Sequence, residues 1–273
     1  NDAVNSCWMC DEGRLNYKWI GREDRLQAVS IRKAGGASET SSWSVALKQV
    51  SGLLQQAAPG SVAIIASARQ TNEELFLLST LAKKLDALTD VVPRTGQADA
   101  LLVSADRNPN TTGATLTGFI TSKPGSVLPK IADAIRSGKI KTLLVIGEDV
   151  TKHGLDAALL GKLETLVVSD ILPNATTALA HVLLPGRAHA EKRGTFTNIK
   201  GRVQKFMRAV EAPGEARAEW EFLQELTTPI TGQAVFAGIE ALFNHMARER
   251  PALKHLTWSD LKDSGATASG SEG

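Results

Sequence analysis

The stretch Val62 to Leu85, VAIIASARQTNEELFLLSTLAKKL, contains the change of period on which the fold turns. Its first six residues, VAIIAS, form a short, partly β-branched apolar run of the kind that makes a buried strand. From Thr71 the spacing becomes helical, and Thr71 and Glu74 stand at the capping-box interval before an amphipathic stretch. A strand is followed at once by a helix.

The same alternation continues toward the C-terminus. ALLVS (Ala100 to Ser104) reads as a strand, Leu128 to Arg136 as a helix, and TLLVIG (Thr142 to Gly147) as a strand. A helix near Leu155 to Leu163 precedes the strand TLVVSD (Thr165 to Asp170). The short helix NATTALA then precedes HVLLP (His181 to Pro185). Apolar runs without polar alternation, separated by helical segments, predict strands buried on both faces of a parallel sheet. The expected fold is α/β and doubly wound, with a mostly parallel sheet and helices on both faces. Helices are also expected at Trp43 to Ala58, Ala216 to Leu226 and Gln233 to Ala247. Residues 1–42 read as an irregular leader, 43–257 as the α/β domain, and 258–273 as a polar, disordered tail.

The composition narrows the functional classes. The chain has 273 residues, 42% hydrophobic and 22% charged, with a formal net charge of +2. This balance gives no electrostatic case for nucleic acid or a membrane surface as partner. No apolar run approaches the roughly eighteen residues of a membrane span, and NDAVNSCWMC lacks the pattern of a signal peptide. The expectation is a soluble chain on the cytoplasmic side, without direct membrane insertion. It opens on Asn1 and reads as part of a longer polypeptide. The common nucleotide, zinc-protease and hydrolase motifs do not occur.

Three features could carry chemistry. Cys7 and Cys10, in CWMCDEGR, are the only cysteines. Their C-x-x-C spacing suits a redox pair, two ligands of a shared zinc, or part of a cluster, and it is also compatible with simple packing. Asp106-Arg107-Asn108-Pro109-Asn110 reads as a turn at a strand end and a possible pocket rim. The third is HVLLPGRAHAEKRGTFTNIKGRVQKF, His181 to Phe206, a long polar loop without obvious strand or helix period. Glu191, Arg193, Asn198, Gly201 and Arg202 could hold a phosphate-rich cofactor, or they could pin the loop to its own domain. No residue pair has the arrangement of a general acid, base or nucleophile.

Several of these stretches together resemble one family. NSCWMCDEGRLNYKWI, TNEELFLL, LLVSADRNPNTTGA, TLLVIGEDV and the stretch from HVLLPGRAHAEKRGTFTNIKGRVQ to EWEFLQEL are similar to the C-terminal region of the G subunit of NADH-quinone oxidoreductase, respiratory complex I. That region is in turn similar to molybdopterin oxidoreductases such as formate dehydrogenase. The resemblance runs from about Asn1 to about Thr228, with EKRGTFTNIKGRVQ its most specific part.

The resemblance implies that Cys10, in W-x-C-D-x-G-R, is one ligand of a [4Fe-4S] cluster whose other thiolates lie upstream of this chain, and that Cys7 is a bystander. It implies that Asn198, Gly201 and Arg202 belong to a vestigial pterin-site loop, with molybdopterin absent. The function implied is a structural and electron-transfer scaffold in the peripheral arm of an NADH:quinone oxidoreductase, in the respiratory electron-transport chain. Its partners would be other peripheral-arm subunits at the cytoplasmic side of the inner membrane, with no catalysis by this chain alone. Two alternatives stand beside it: a fragment of a molybdopterin-dependent enzyme such as formate dehydrogenase, and a zinc- or partner-binding module built on Cys7 and Cys10.

Overall fold

Alternate residues of each central strand face opposite hydrophobic cores, which is why their sequences read as unbroken apolar runs. In the computed structural model, β3 (Val62–Ala66) sends Val62, Ile64 and Ala66 to one side of the sheet and Ala63 and Ile65 to the other. The structure describes all residues except 1, 3, 10–13, 34–35, 101–102 and 271–273.

The strands β1 (Val29–Arg32), β2 (Ser38–Ser41), β4 (Leu88–Val91), β5 (Thr142–Ile146), β6 (Thr165–Asp170) and β7 (Val182–Pro185) join β3 in a seven-stranded sheet of order β2-β1-β7-β6-β5-β3-β4. The five strands from β7 to β4 run parallel, while β1 and β2 extend the sheet antiparallel. One face packs against α1 (Trp43–Gln56), α2 (Asn72–Leu85), α6 (Glu219–Thr231) and α7 (Ile239–Glu249). The other packs against α4 (Leu128–Arg136) and the short α5 (Ala157–Leu160). The remaining short helix, α3 (Thr111–Leu116), follows the Asp106 turn. This is the expected doubly wound arrangement, with helices on both faces.

Four details differ from the sequence reading. The expected strand Ala100–Ser104 lies partly outside the described residues, and Ala100, Val103 and Ser104 are not in a strand. The edge strand is instead β4, where buried Asp90 hides the pattern. Its carboxylate accepts the N–H groups of Val91, Gly125, Val127 and Leu128 at 2.7–2.9 Å, thereby holding the start of α4.

The leader, expected to be irregular, contains β1 and β2, with Ile31 pairing Val182. The tail is tied down as well: Leu261 and Ala268 are buried, and β10 (Ala266–Thr267) pairs with the hairpin described next.

The stretch after β7 is a β-hairpin and not an aperiodic loop. β8 (Gly194–Thr197) and β9 (Arg202–Phe206) pair antiparallel, with β10 as third strand. Thr195 and Thr197 are fully or nearly fully buried on one face of β8. Phe196 stacks on Phe206 with ring centroids 4.8 Å apart. The polar inward face of the hairpin conceals its strand period.

Candidate functional site

In open α/β sheets the crevice beyond the carboxyl ends of the strands, where the strand order reverses, is the usual place for a ligand. Here the reversal falls between β3 and β5, and a dense polar cluster occupies that end of the sheet.

The cluster begins at the first turn of α2. Thr71 caps the helix by accepting the Glu74 N–H at 3.2 Å, and Glu74 accepts the Thr71 N–H at 2.8 Å. The next side chains reach into the hairpin. Asn72 Nδ2 donates to the hydroxyls of Thr195 and Thr197 at 2.9 Å each. Glu73 accepts the Thr195 backbone N–H at 3.0 Å and its hydroxyl at 2.8 Å. From the start of α3, Asn110 accepts the Thr197 N–H at 2.7 Å and donates to Gln70 O at 2.9 Å.

Lys192 closes the arrangement from the other side. Its Nζ donates to both oxygens of Glu74 at 2.8 and 2.9 Å and to Glu219 at 2.6 Å. All three residues are buried. Burial alone would lower the Lys192 pKa, but Glu219 and Glu74 beside it raise it. Burial pushes the Glu219 carboxyl up despite Lys192. Glu73 has no cation beside it among the described residues, and burial pushes it up to about 7.

Backbone approach is equally tight. A Cβ on Gly194 would lie 2.5 Å from Thr71 Cγ2, so only glycine lets the hairpin reach the helix cap.

The candidate residues from the sequence fall as follows. Glu191 forms a buried bidentate pair with Arg25 at 2.7 and 2.8 Å and accepts the Ala188 N–H at 2.8 Å. Arg193 pairs with Glu240 on α7. Asn198 Oδ1 accepts the N–H groups of Lys200 and Arg202, at 3.0 and 2.9 Å, while Gly201 N–H donates to Asn198 O at 2.9 Å. The Arg202 guanidinium donates to Ser264 O at 3.0 Å. Three consecutive backbone N–H groups that could have cradled a phosphate are therefore turned inward onto Asn198, and the turn does not fit that role.

Asp106 accepts the Asn108 N–H in a local turn, and Asn108 bonds Arg94, which pairs bidentately with buried Glu148 at 2.7 Å. Cys7 is exposed, and Cys10 lies outside the described residues. Among the described residues, no group of three or more His, Cys, Asp and Glu side chains could hold a metal.

The sequence alone does not single out Lys192, Glu73, Glu74 and Glu219 as partners. Their signal is weak, because adjacent acids at a helix start are explained by capping and the helix dipole. Gln70 Oε1, Asn72 Oδ1 and Ser169 Oγ are buried at this end of the sheet without a partner among the described residues. The hydroxyls and backbone N–H groups of Thr195 and Thr197 on the hairpin's inner face are bonded within the chain.

The clamped hairpin, α3 and most of α6 fall within a single stretch of family sequence. Residues 109–228 match the molybdopterin oxidoreductase family. Within the wider chain, 132 residues are 36% identical to the NADPH-Fe(3+) oxidoreductase subunit alpha of Geobacter sulfurreducens, covering 47% of this chain and 16% of that protein. Another 148-residue match, 35% identical, is to the F420-dependent formate dehydrogenase subunit alpha of Methanocaldococcus jannaschii, covering 52% of this chain and 22% of that one. The matches thus span less than a quarter of each of these relatives' length. A solved structure, acetylene hydratase from Pelobacter acetylenicus, superposes with a TM-score of 0.54 over 92% of this chain and 67% of that chain. At 11% identity, this likeness is one of fold. The segment that matches this family holds Lys192, Thr195 and Glu219, whereas the helix turn that clamps them lies outside it.

Proposed function

We propose that this chain is a scaffold domain of an NADH:quinone oxidoreductase, corresponding to the C-terminal region of the G subunit of complex I, with no active site of its own. The observation that carries this reading is the use made of the hairpin's polar groups: Asn198 and Gly201 close their own turn, and Thr195 and Lys192 bind α2 and α6. A hairpin so engaged holds a domain together. Its peripheral-arm partners and its place at the cytoplasmic side of the inner membrane follow from the resemblance. Among the described residues, no helix is long and apolar enough to cross a membrane.

In this reading Cys10 donates one thiolate to a [4Fe-4S] cluster completed by upstream cysteines. Such a cluster, when bound, passes single electrons.

A second reading is favoured by two observations. Relatives carry the name formate dehydrogenase, and Gln70 and Ser169 present unpartnered polar atoms beside the crevice. The chain would then be part of a molybdopterin-dependent enzyme. Metal, sulfide and pterin analysis of the longest native polypeptide, purified without air, separates the two. Iron and sulfide, with NADH:quinone activity co-purifying, support the scaffold reading. Molybdenum with a pterin, and formate oxidation without quinone reduction, overturn it.

A further inference from the structure

Asn72 Oδ1 is buried in the seam between α2 and the hairpin without a hydrogen-bond partner among the described residues. The amide nitrogen donates to the hydroxyls of Thr195 and Thr197 at 2.9 Å each, while the oxygen is aimed at Gly113 on α3. A Cβ on Gly113 would overlap both Asn72 Oδ1 and Asn110 Oδ1, so two amide oxygens face the same small gap. Buried acceptors turned toward one another with no proton between them are unfavourably placed. Thr197 Oγ1, for its part, accepts from Asn72 and donates to no group among the described residues.

One proton sets the direction of this chain of bonds. Thr195 Oγ1 lies 2.8 Å from Glu73 Oε1 and 2.9 Å from Asn72 Nδ2. With Glu73 ionised, the Thr195 hydroxyl gives its proton to the carboxylate and accepts from the Asn72 nitrogen, which leaves Asn72 Oδ1 turned to Asn110. With Glu73 protonated, Oε1 donates to Thr195 Oγ1 instead, and Oε2 still accepts the Thr195 N–H at 3.0 Å. The Thr195 proton then needs a new acceptor. An Asn72 amide turned over supplies one, because its oxygen takes the protons of both threonine hydroxyls and its nitrogen faces Asn110 Oδ1. That oxygen accepts the Thr197 N–H at 2.7 Å and has a second lone pair to offer. Turning the amide exchanges two ends of nearly equal size, so the packing need not change.

The surrounding charges are already matched. Of the elements packed on α2, β3, β8 and α3 carry no titratable side chain. Glu74, next in α2, raises the Glu73 pKa, but its own charge is met by Lys192, which also holds Glu219 of α6. Arg193, before β8, is bound to Glu240 of α7, and Glu191 to Arg25. Burial is the largest influence on Glu73 and brings its titration to about 7. We propose that Glu73, Thr195 and Asn72 form a proton-operated latch: when Glu73 takes up a proton from solvent, the hydrogen bonds through Thr195 reverse, the Asn72 amide turns over, and α2 becomes bonded to α3 through Asn110.

The test is side-chain NMR of the isotope-labelled full chain from about pH 5 to about pH 9. The Glu73 carboxyl carbon should titrate with a midpoint near 7. With the same midpoint, the nuclear Overhauser contacts of the Asn72 amide protons should move from the Thr195 and Thr197 methyl groups at high pH to the Gly113 Hα protons at low pH. In Glu73→Gln the new amide donates to Thr195 Oγ1 and accepts its N–H, as the protonated acid does, so the Asn72 contacts should stay with Gly113 throughout. Asn72 contacts that do not move while Glu73 titrates, a Glu73 that does not titrate in this range, or a switch that survives Glu73→Gln would overturn the proposal. Should the variant fail to fold, the wild-type titration decides alone.

Discussion

Glu73 and Thr195, 122 residues apart in the chain, share two hydrogen bonds in a fully buried setting, one from the Thr195 backbone and one from its hydroxyl. The pair joins the start of α2 to the hairpin with no cation among the described residues to offset the carboxyl. Burial therefore favours a neutral, protonated Glu73 up to about pH 7, against the two hydrogen bonds, which favour the carboxylate.

This sets a pH dependence. The Glu73 pKa rises from 4.5 to about 7 on folding, so between these values the folded state holds a proton the unfolded chain has released. Stability should fall as pH rises from about 4.5 to 7, by at most about 1.4 kcal/mol per unit for this group, and level off above. Urea denaturation across that range measures it. Glu73→Gln should make the fall shallower, with Glu219 and Asp170, also raised by burial, carrying the rest, and an unchanged profile in that variant would show that Glu73 does not carry the proton.

Lys192→Met should be far more damaging. It leaves Glu74 and Glu219 buried without their cation, a loss of about 3 to 5 kcal/mol. Adding Glu219→Gln to the same chain should restore part of that loss, because one of the stranded charges is then gone. A double-mutant cycle in guanidinium chloride gives the coupling, and simple additivity would contradict the network.

Gly194→Ala places a methyl group 2.5 Å from Thr71 Cγ2 and 2.9 Å from Thr71 Cβ at the helix cap. The expected cost is about 1 to 3 kcal/mol, read as a lower melting temperature. A melting temperature equal to the wild type would mean that the hairpin does not press on α2 as described.

Asn198→Ala removes the acceptor that closes the turn between β8 and β9. A modest loss of about 1 kcal/mol is expected, with the iron and sulfide of the native assembly unchanged. A fall in pterin or molybdenum content in this variant would instead support the enzyme reading.

The central strands are legible because burial on both faces leaves an unbroken apolar record, as in VAIIA and TLLVI. The Thr71–Glu74 cap is legible because it is local. β4 is hidden by Asp90, whose polarity argues against a strand until the four N–H groups it accepts are seen. The hairpin is hidden for a related reason: its buried face is made of threonines, and their partners, Asn72 and Glu73, lie more than a hundred residues earlier. Sequence patterns record what a segment does with its own neighbours, and this cluster is built almost wholly from distant ones.

The separation of Glu74 from Lys192, 118 residues, also bears on how the chain is made. At about 5–20 residues per second, the ribosome adds Glu74 roughly 6 to 24 s before it reaches the lysine that neutralises it. During that interval the acidic first turn of α2 has neither its cation nor its threonines, and water must serve in their place. During synthesis, closure of this end of the sheet thus waits for the C-terminal half.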